Sequence, residues 1–261
     1  MTILDKKRLI FSFYLTNDWE ESETNILHIR LLSKYLSTFD DVIFCLITNN
    51  DIKPEVVKKF QRLIISKCNG DITFKMYKNT NYRESLVLYN EISKKLKDLD
   101  GVTFFGHNKG ISNSYFGIEN VKMWICALYY FSFEYDLPFD FLNGPMSYGP
   151  LKVCCCNEFF ISSGQSVHDW HYAGTFFWLK CQQLDFYLKS NNIELPQLTN
   201  RWYSEMFLGN VMPNTEAWSY NDRYLLGDKF DGYNVFEKIK KMYEGNDYVV
   251  EDFLNFFKEN S

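Results

Sequence analysis

The stretch "FFGHNKGISNS", Phe104 to Ser114, sets a histidine, an asparagine, a lysine and a glycine directly after an apolar run. A switch of this kind marks the end of a strand, and in an open α/β sheet that is where a ligand is met. His107, Asn108, Lys109 and Gly110 therefore pose a question of charge: what would a cation meet there? The ordinary reading is a solvated strand-to-helix loop, with Lys109 in water and Ser112 or Asn113 capping a helix.

Other residue groups raise similar alternatives. "SVHDWHYAGTFFWLK" holds two of the four histidines, His168 and His171. With Cys154, Cys155 and Cys156 they could make a zinc site, although His-x-x-His beside three consecutive cysteines has no established ligand spacing. A histidine bonded to a backbone carbonyl is the competing reading. "RWYSEMFLG" carries Arg201 and Glu205 four apart on one helical face, the spacing of an ion pair. Arg83 opens "YRESLVLYNEISKKL", where Glu84 offers a partner for a neighbouring cation.

The elements that must position these residues alternate through the first half. Lys7 to Thr16 is β-branched and aromatic, and ends in the polar loop "NDWEESE". Thr24 to Phe39 carries a helical apolar stripe, Asp41 to Thr48 a buried strand, and Pro54 opens a second helix. Asp71 to Asn79 alternates as a third strand, Arg83 to Asp98 is helical, and Gly101 to Gly106 is a fourth strand. Crossovers of a dozen residues or more imply a mostly parallel sheet with helices on both faces. Four loops at its carboxyl ends become candidates: 17–23, 49–53, 79–83 and 107–114.

The second half is less regular. Asn120 to Glu134 reads as a buried helix, "LKVCCC" and "NEFFIS" as strands, and Asp169 to Lys180 as one strand. Helices are expected near Gln183 to Ser190, Asn200 to Asn210, Tyr233 to Glu244 and Tyr248 to Asn260. Without a linker or repeat, one domain over 1–261 is the simplest organisation.

Bulk properties set the class. With 261 residues, 46% of them hydrophobic, the chain buries a full core. A formal net charge of -5 and no basic patch exclude general attraction to nucleic acid. No apolar stretch reaches the ~20 residues of a membrane span, and the start does not read as a signal peptide. Seven cysteines without framework spacing suit a reducing, cytoplasmic setting.

"HNKGISN", "VKMW", "HYAGTFFWLK" and "RWYSEMFLG", in this order over Tyr82 to Gly209, resemble a group of glycosyltransferase-like proteins of polysaccharide gene clusters and large DNA viruses. The resemblance implies an α/β, GT-A-like (Rossmann-like) fold, with a nucleotide-sugar-binding half over about 1–118 and an acceptor half over about 119–261. It implies a nucleotide-diphosphate-sugar donor, UDP- or GDP-linked, and a glycan or glycoconjugate acceptor. GT-A enzymes commonly hold a divalent metal such as Mn²⁺ on an Asp-x-Asp after the fourth strand; here His107, Asn108 and Lys109 stand in its place.

Cleaving the bond to the diphosphate builds negative charge on the leaving oxygens. Lys109 and His107 could stabilise it, helped by backbone N–H groups near Gly110 and the N-terminus of the next helix. By the same resemblance Arg83 and Asn108 belong to the donor site, and His171 and Gly174 lie beside the sugar. Glu205 is the base for the acceptor hydroxyl. Thr175 and Phe177 stand where the group has Asn and Trp. Trp19 is a base-stacking candidate, Asp18 a ribose-bonding one and Trp170 a sugar platform. A non-catalytic sugar- or nucleotide-binding module is the second reading.

Overall fold

The structure, a computed structural model, describes residues 6–68, 70–108, 117–134, 144–150, 152–154, 170–172, 175–199, 203–218 and 247–261. "KRLIFSFYL" forms β1, Lys7–Leu15, buried on both faces, as its almost unbroken apolar run requires. Ser22 caps α1, Glu23–Tyr35, by accepting the Asn25 N–H; β2, Asp41–Thr48, follows. Pro54 opens α2, Pro54–Ile65, at a position where its missing N–H costs nothing. Then come β3, Ile72–Lys78; α3, Glu84–Glu91; a 3-10 helix, Ser93–Asp98; and β4, Val102–His107.

β1 pairs in parallel with β2 and with β4, and β2 with β3. The order β3-β2-β1-β4 means that the chain steps outward from β1 in one direction and then crosses back to its other side. That reversal between β1 and β4 is a topological switch point, where a crevice opens at the carboxyl ends of the strands. The mostly parallel, helix-flanked sheet expected of a Rossmann-like, GT-A-like chain is present.

The second half extends the sheet. α4, Ile118–Tyr129, runs into a π turn at Tyr130–Glu134. β5 is Ser147–Tyr148, β6 Lys152–Cys154, β7 Trp170–Tyr172 and β8 Phe177–Leu179. α5, Cys181–Ser190, α6, Tyr203–Val211, β9, Ala217–Trp218, and α7, Asp247–Asn260, complete the described elements.

β8 inserts antiparallel between β4 and β5, giving the order β3-β2-β1-β4-β8-β5-β9 among the described residues. β6 and β7 pair apart as a small antiparallel ribbon. The stretch 169–180, read as one strand, thus holds two strands in two sheets, β7 ending at Tyr172 and β8 beginning at Phe177, and the φ of 55° at Thr175 between them is not extended backbone. The expected strand "NEFFIS" and the helix over 233–244 lie outside the described residues.

Two cores sandwich the sheet. Phe11, Phe44 and Phe104 point into one, against Leu31, Phe60, Tyr129 and Phe253 from the helices. Ile10, Phe105 and Phe177 point into the other, against Leu88, Leu184 and Phe207. Among the described residues no helix is long and apolar enough to cross a membrane.

Candidate functional site at the carboxyl ends of the strands

The loops that leave the parallel strands are tied to one another by asparagines. Asn17 donates to the Asp51 carbonyl at 3.2 Å and accepts from the Lys53 N–H at 3.0 Å, which joins the loop after β1 to that after β2. Asn79 donates to the Asn49 Oδ1 at 2.8 Å, joining the loops after β2 and β3. At the switch point Asn108 Oδ1 accepts the Tyr14 N–H at 2.7 Å, while its Nδ2 donates to the Tyr14 carbonyl at 3.1 Å and the Asn25 Oδ1 at 2.9 Å. These bonds tie the edge together within the protein.

This use of Asn108 corrects the expectation that its side chain meets a donor. Both of its donor hydrogens are spent inside the protein, and the residue is 7% exposed. Trp19 needs a similar correction. Its ring is buried at 2% exposure and lies edge-on to Phe60 at 5.3 Å, with no face left for a base. Trp170 is as deeply buried, donating its indole N–H to the Met212 carbonyl at 3.2 Å, and offers no platform for a sugar. Asp18 is exposed just after β1, within the asparagine-tied edge.

His107 closes β4 and is half-buried, with its ring 6.5 Å from Phe176. Ser12 lies beside it in the β1 register. On the other side the β4–β8 register ends at Phe105↔Phe177, and the Phe176 ring just before β8 reaches to within 6.5 Å of the His107 ring. The two quoted stretches, "FFGHNKG" and "HYAGTFFW", therefore meet at this edge. Lys109, Gly110 and Gly174 lie outside the described residues.

The segments that carry Arg83 and Glu205 are joined through their serine neighbours. Ser85 near the start of α3 donates to the Ser204 hydroxyl at 3.1 Å and accepts the Ser204 N–H at 2.9 Å, so each candidate stands within two positions of this bond. The Glu205 side chain and Arg201 are outside the described residues, and the Arg83 side chain is exposed. His171 pairs with Val153 in the ribbon, and Cys154 with Trp170; the side chains of His171 and Cys154 fall outside the description. Among the described residues no three His, Cys, Asp or Glu side chains are grouped to hold a metal.

Two features of this edge were not singled out from the sequence. Arg83 (φ 48°) and Thr175 (φ 55°) hold left-handed backbone, which costs a residue with a Cβ about 1–3 kcal/mol where the surroundings impose it. A third such residue among those described, Asn192 at φ 53°, follows a helix end, where asparagine is tolerated. The hydroxyls of Ser12 and Thr175 are buried without a hydrogen-bond partner, each at a cost of about 1–3 kcal/mol. The signal for Ser12 was legible: it is the lone polar residue inside "LIFSFYL", a strand apolar on both faces.

Among the described residues, several charged groups and thiols away from this edge serve the fold. Asp41 joins Arg8 and Lys6 at the amino ends of the strands; its bond to Lys6 holds the carboxyl below the usual range. Lys180, at the far end of β8, donates to the Gly144 carbonyl at 3.1 Å, and burial pulls its ammonium pKa down. Burial pushes the Cys126 and Cys181 thiols up to about 12, so neither is a nucleophile at neutral pH.

No family model matches the chain, and no curated protein matches it. Among solved structures, 4-diphosphocytidyl-2C-methyl-D-erythritol synthase from Anaerococcus prevotii is similar over 94% of this chain and 98% of its own, with a TM-score of 0.35 and 9% identity. A likeness that distant carries no functional argument.

Proposed function

We propose that the protein is a glycosyltransferase that moves a sugar from a nucleotide-diphosphate-sugar to a hydroxyl of a glycan or glycoconjugate. The observation that carries this reading is the meeting, at the switch point, of the β4 end with the Phe176 segment. These are two of the ordered stretches by which the chain resembles glycosyltransferases. The Ser85–Ser204 bond supports it by joining the segments that carry Arg83 and Glu205.

In this reading Lys109 supplies the charge that an Asp-x-Asp metal supplies elsewhere, with His107 beside it, and Arg83 helps hold the donor phosphates. His171 and Gly174 shape the sugar site. Glu205 takes the proton of the attacking hydroxyl as that oxygen bonds to the anomeric carbon and the diphosphate departs with its electron pair. UDP- and GDP-sugars are the preferred donors, and the reaction needs no tightly bound metal.

A thermal-shift screen with UDP-, GDP-, CDP- and ADP-sugars, each with Mn²⁺ and with EDTA, tests this. One nucleotide at about 100 times its Kd should stabilise by about 2.7 kcal/mol, and the shift should survive EDTA. Lys109→Met should then lower turnover about 10²- to 10³-fold. Strong dependence on Mn²⁺ together with an active Lys109→Met variant would refute the lysine-based site.

The lack of an Asp-x-Asp after the fourth strand, where His107, Asn108 and Lys109 stand, favours one other reading, a non-catalytic nucleotide- or sugar-binding module. It predicts binding without transfer and a Glu205→Gln variant indistinguishable from the parent.

A further inference from the structure

β3, Ile72–Lys78, ends the sheet, and among the described residues no strand pairs with its outer side. Folded proteins guard such an edge with prolines, bulges or free lysines, because an open row of N–H and C=O groups invites pairing with another chain. β3 has no proline, and its one-to-one register with β2 over all 7 residues leaves no bulge. Lys75 is withdrawn as a guard. Glu91 holds its ammonium at 2.5 Å and also accepts the Tyr77 hydroxyl, which pins both side chains against α3. The edge itself faces solvent: Asp71, Thr73 and Lys78 are exposed, and Met76 is 51% exposed.

The backbone fixes which residues are free to pair. Asn79, next after β3, donates its N–H to the Thr48 carbonyl of β2 at 2.7 Å. Backbone groups alternate in direction along a strand, so Thr73, Lys75 and Tyr77 turn theirs to β2, while Ile72, Phe74 and Met76 turn theirs outward. An antiparallel seam between identical strands has a two-fold axis, and because opposed residues share a face, that axis passes through a residue. Centred on Lys75, the seam opposes that lysine to itself and Ile72 to Lys78. Centred on Met76, it opposes Phe74 to Lys78. Centred on Phe74, it opposes Ile72 to Met76 and Phe74 to Phe74, which extends the apolar row by which Ile72 and Phe74 pack on the first core.

Charge favours the same register. The Glu91 cluster holds two ammonium groups, of Lys75 and Lys95, and one carboxylate. With Phe74 at the centre, Asp71 of the second copy lies diagonally from Lys75, about 7–8 Å away along the backbone and within a lysine's reach. The right-handed twist of the strands closes that diagonal and opens the one between the two Lys75 residues. Lys78 falls opposite Gly70, beyond the ladder.

We infer that β3 is a self-docking edge, by which two copies of this chain join their sheets antiparallel with Phe74 at the two-fold axis. The seam has about six backbone hydrogen bonds. It is small beside obligate interfaces, so the dimer is reversible. This pairing does not depend on the donor site.

Light scattering from about 1 µM to about 1 mM protein, with hydrogen exchange at both ends of that range, tests it. The mass should rise from that of one 31.1 kDa chain towards twice that value. Met76→Lys sets a charge against Ile72, and Asp71→Lys sets a cation towards Lys75. Each should raise the dissociation constant about tenfold or more, because the two-fold axis repeats every change. Lys78→Glu should leave it within about twofold. The amides of Ile72, Phe74 and Met76 should slow as concentration rises, and those of Thr73 and Tyr77, already bonded to β2, far less. Whenever the dimer parts the edge reopens, so these amides stay faster than those of β1.

A chain that is monomeric throughout overturns the inference and leaves the edge to a strand of a different protein. A dimer that tolerates both Met76→Lys and Asp71→Lys, or whose β3 amides ignore concentration, uses another face and overturns it too. Equal weakening by Lys78→Glu overturns the register centred on Phe74. If Met76→Lys does not fold, Asp71→Lys, at an exposed position just before β3, decides by the same criteria.

Discussion

At the scale of single residues, Trp19 caps the first core. Its indole packs edge-on to Phe60, which in turn lies 4.6 Å from Phe13. Trp19→Ala should cost about 3–5 kcal/mol, read as a lower urea midpoint. Trp19→Phe should cost less and leave any nucleotide-induced shift unchanged; loss of that shift would put Trp19 back in the site. The sequence hides this role because "NDWEESE" surrounds the ring with polar residues, and a lone aromatic has no periodicity from which burial can be read. A 3-10 turn at Trp19–Glu21 turns it inward. His107, by contrast, was legible at the end of β4, because a polar run after an apolar one locates a strand end whatever surrounds it.

At the scale of elements, the edge strand β3 is fastened by a buried carboxylate. Glu91 of α3 meets Lys75 at 2.5 Å and Lys95 at 2.7 Å, and accepts the Tyr77 hydroxyl. Burial raises the Glu91 pKa, but its bonds to Lys75, Lys95 and Tyr77 more than reverse that and leave it below the usual range. A carboxyl whose folded pKa is depressed contributes stability above its unfolded pKa of about 4.3, and loses it as pH falls through the folded value. Urea midpoints should therefore drop below about pH 4.3, and Glu91→Gln should flatten that drop while costing about 1–3 kcal/mol at pH 7. The partly exposed lysines keep the figure below that of a fully buried pair. An unchanged acid limb in the variant would show that Glu91 is not the group responsible. The sequence reads 83–98 as one helix, whereas Glu91 turns inward and the Ser93 hydroxyl bonds the Leu88 carbonyl, and the last turns tighten to 3-10. Contacts made across space in this way leave no mark on local periodicity.

At the scale of the whole molecule, the first four strands were legible because each is six to nine residues long and separated by amphipathic helices. The described strands of the second half are two or three residues long, too short to show a period of two, and their membership of the sheet comes from pairing partners far away in the chain. One consequence concerns β1, which has a strand on each edge and a core on each face. Its amide protons can exchange with solvent only when the whole fold opens, whereas the outer edge of β3 can exchange through local openings. Hydrogen exchange should therefore find the slowest amides at Ile10, Phe11 and Phe13, and comparable rates in β1 and β3 would contradict this account. Because those amides already report global opening, a bound ligand should slow exchange at 17–18, 49–53 and 79–83 well before it alters β1, so that the frame serves as an internal clock for occupancy of the site.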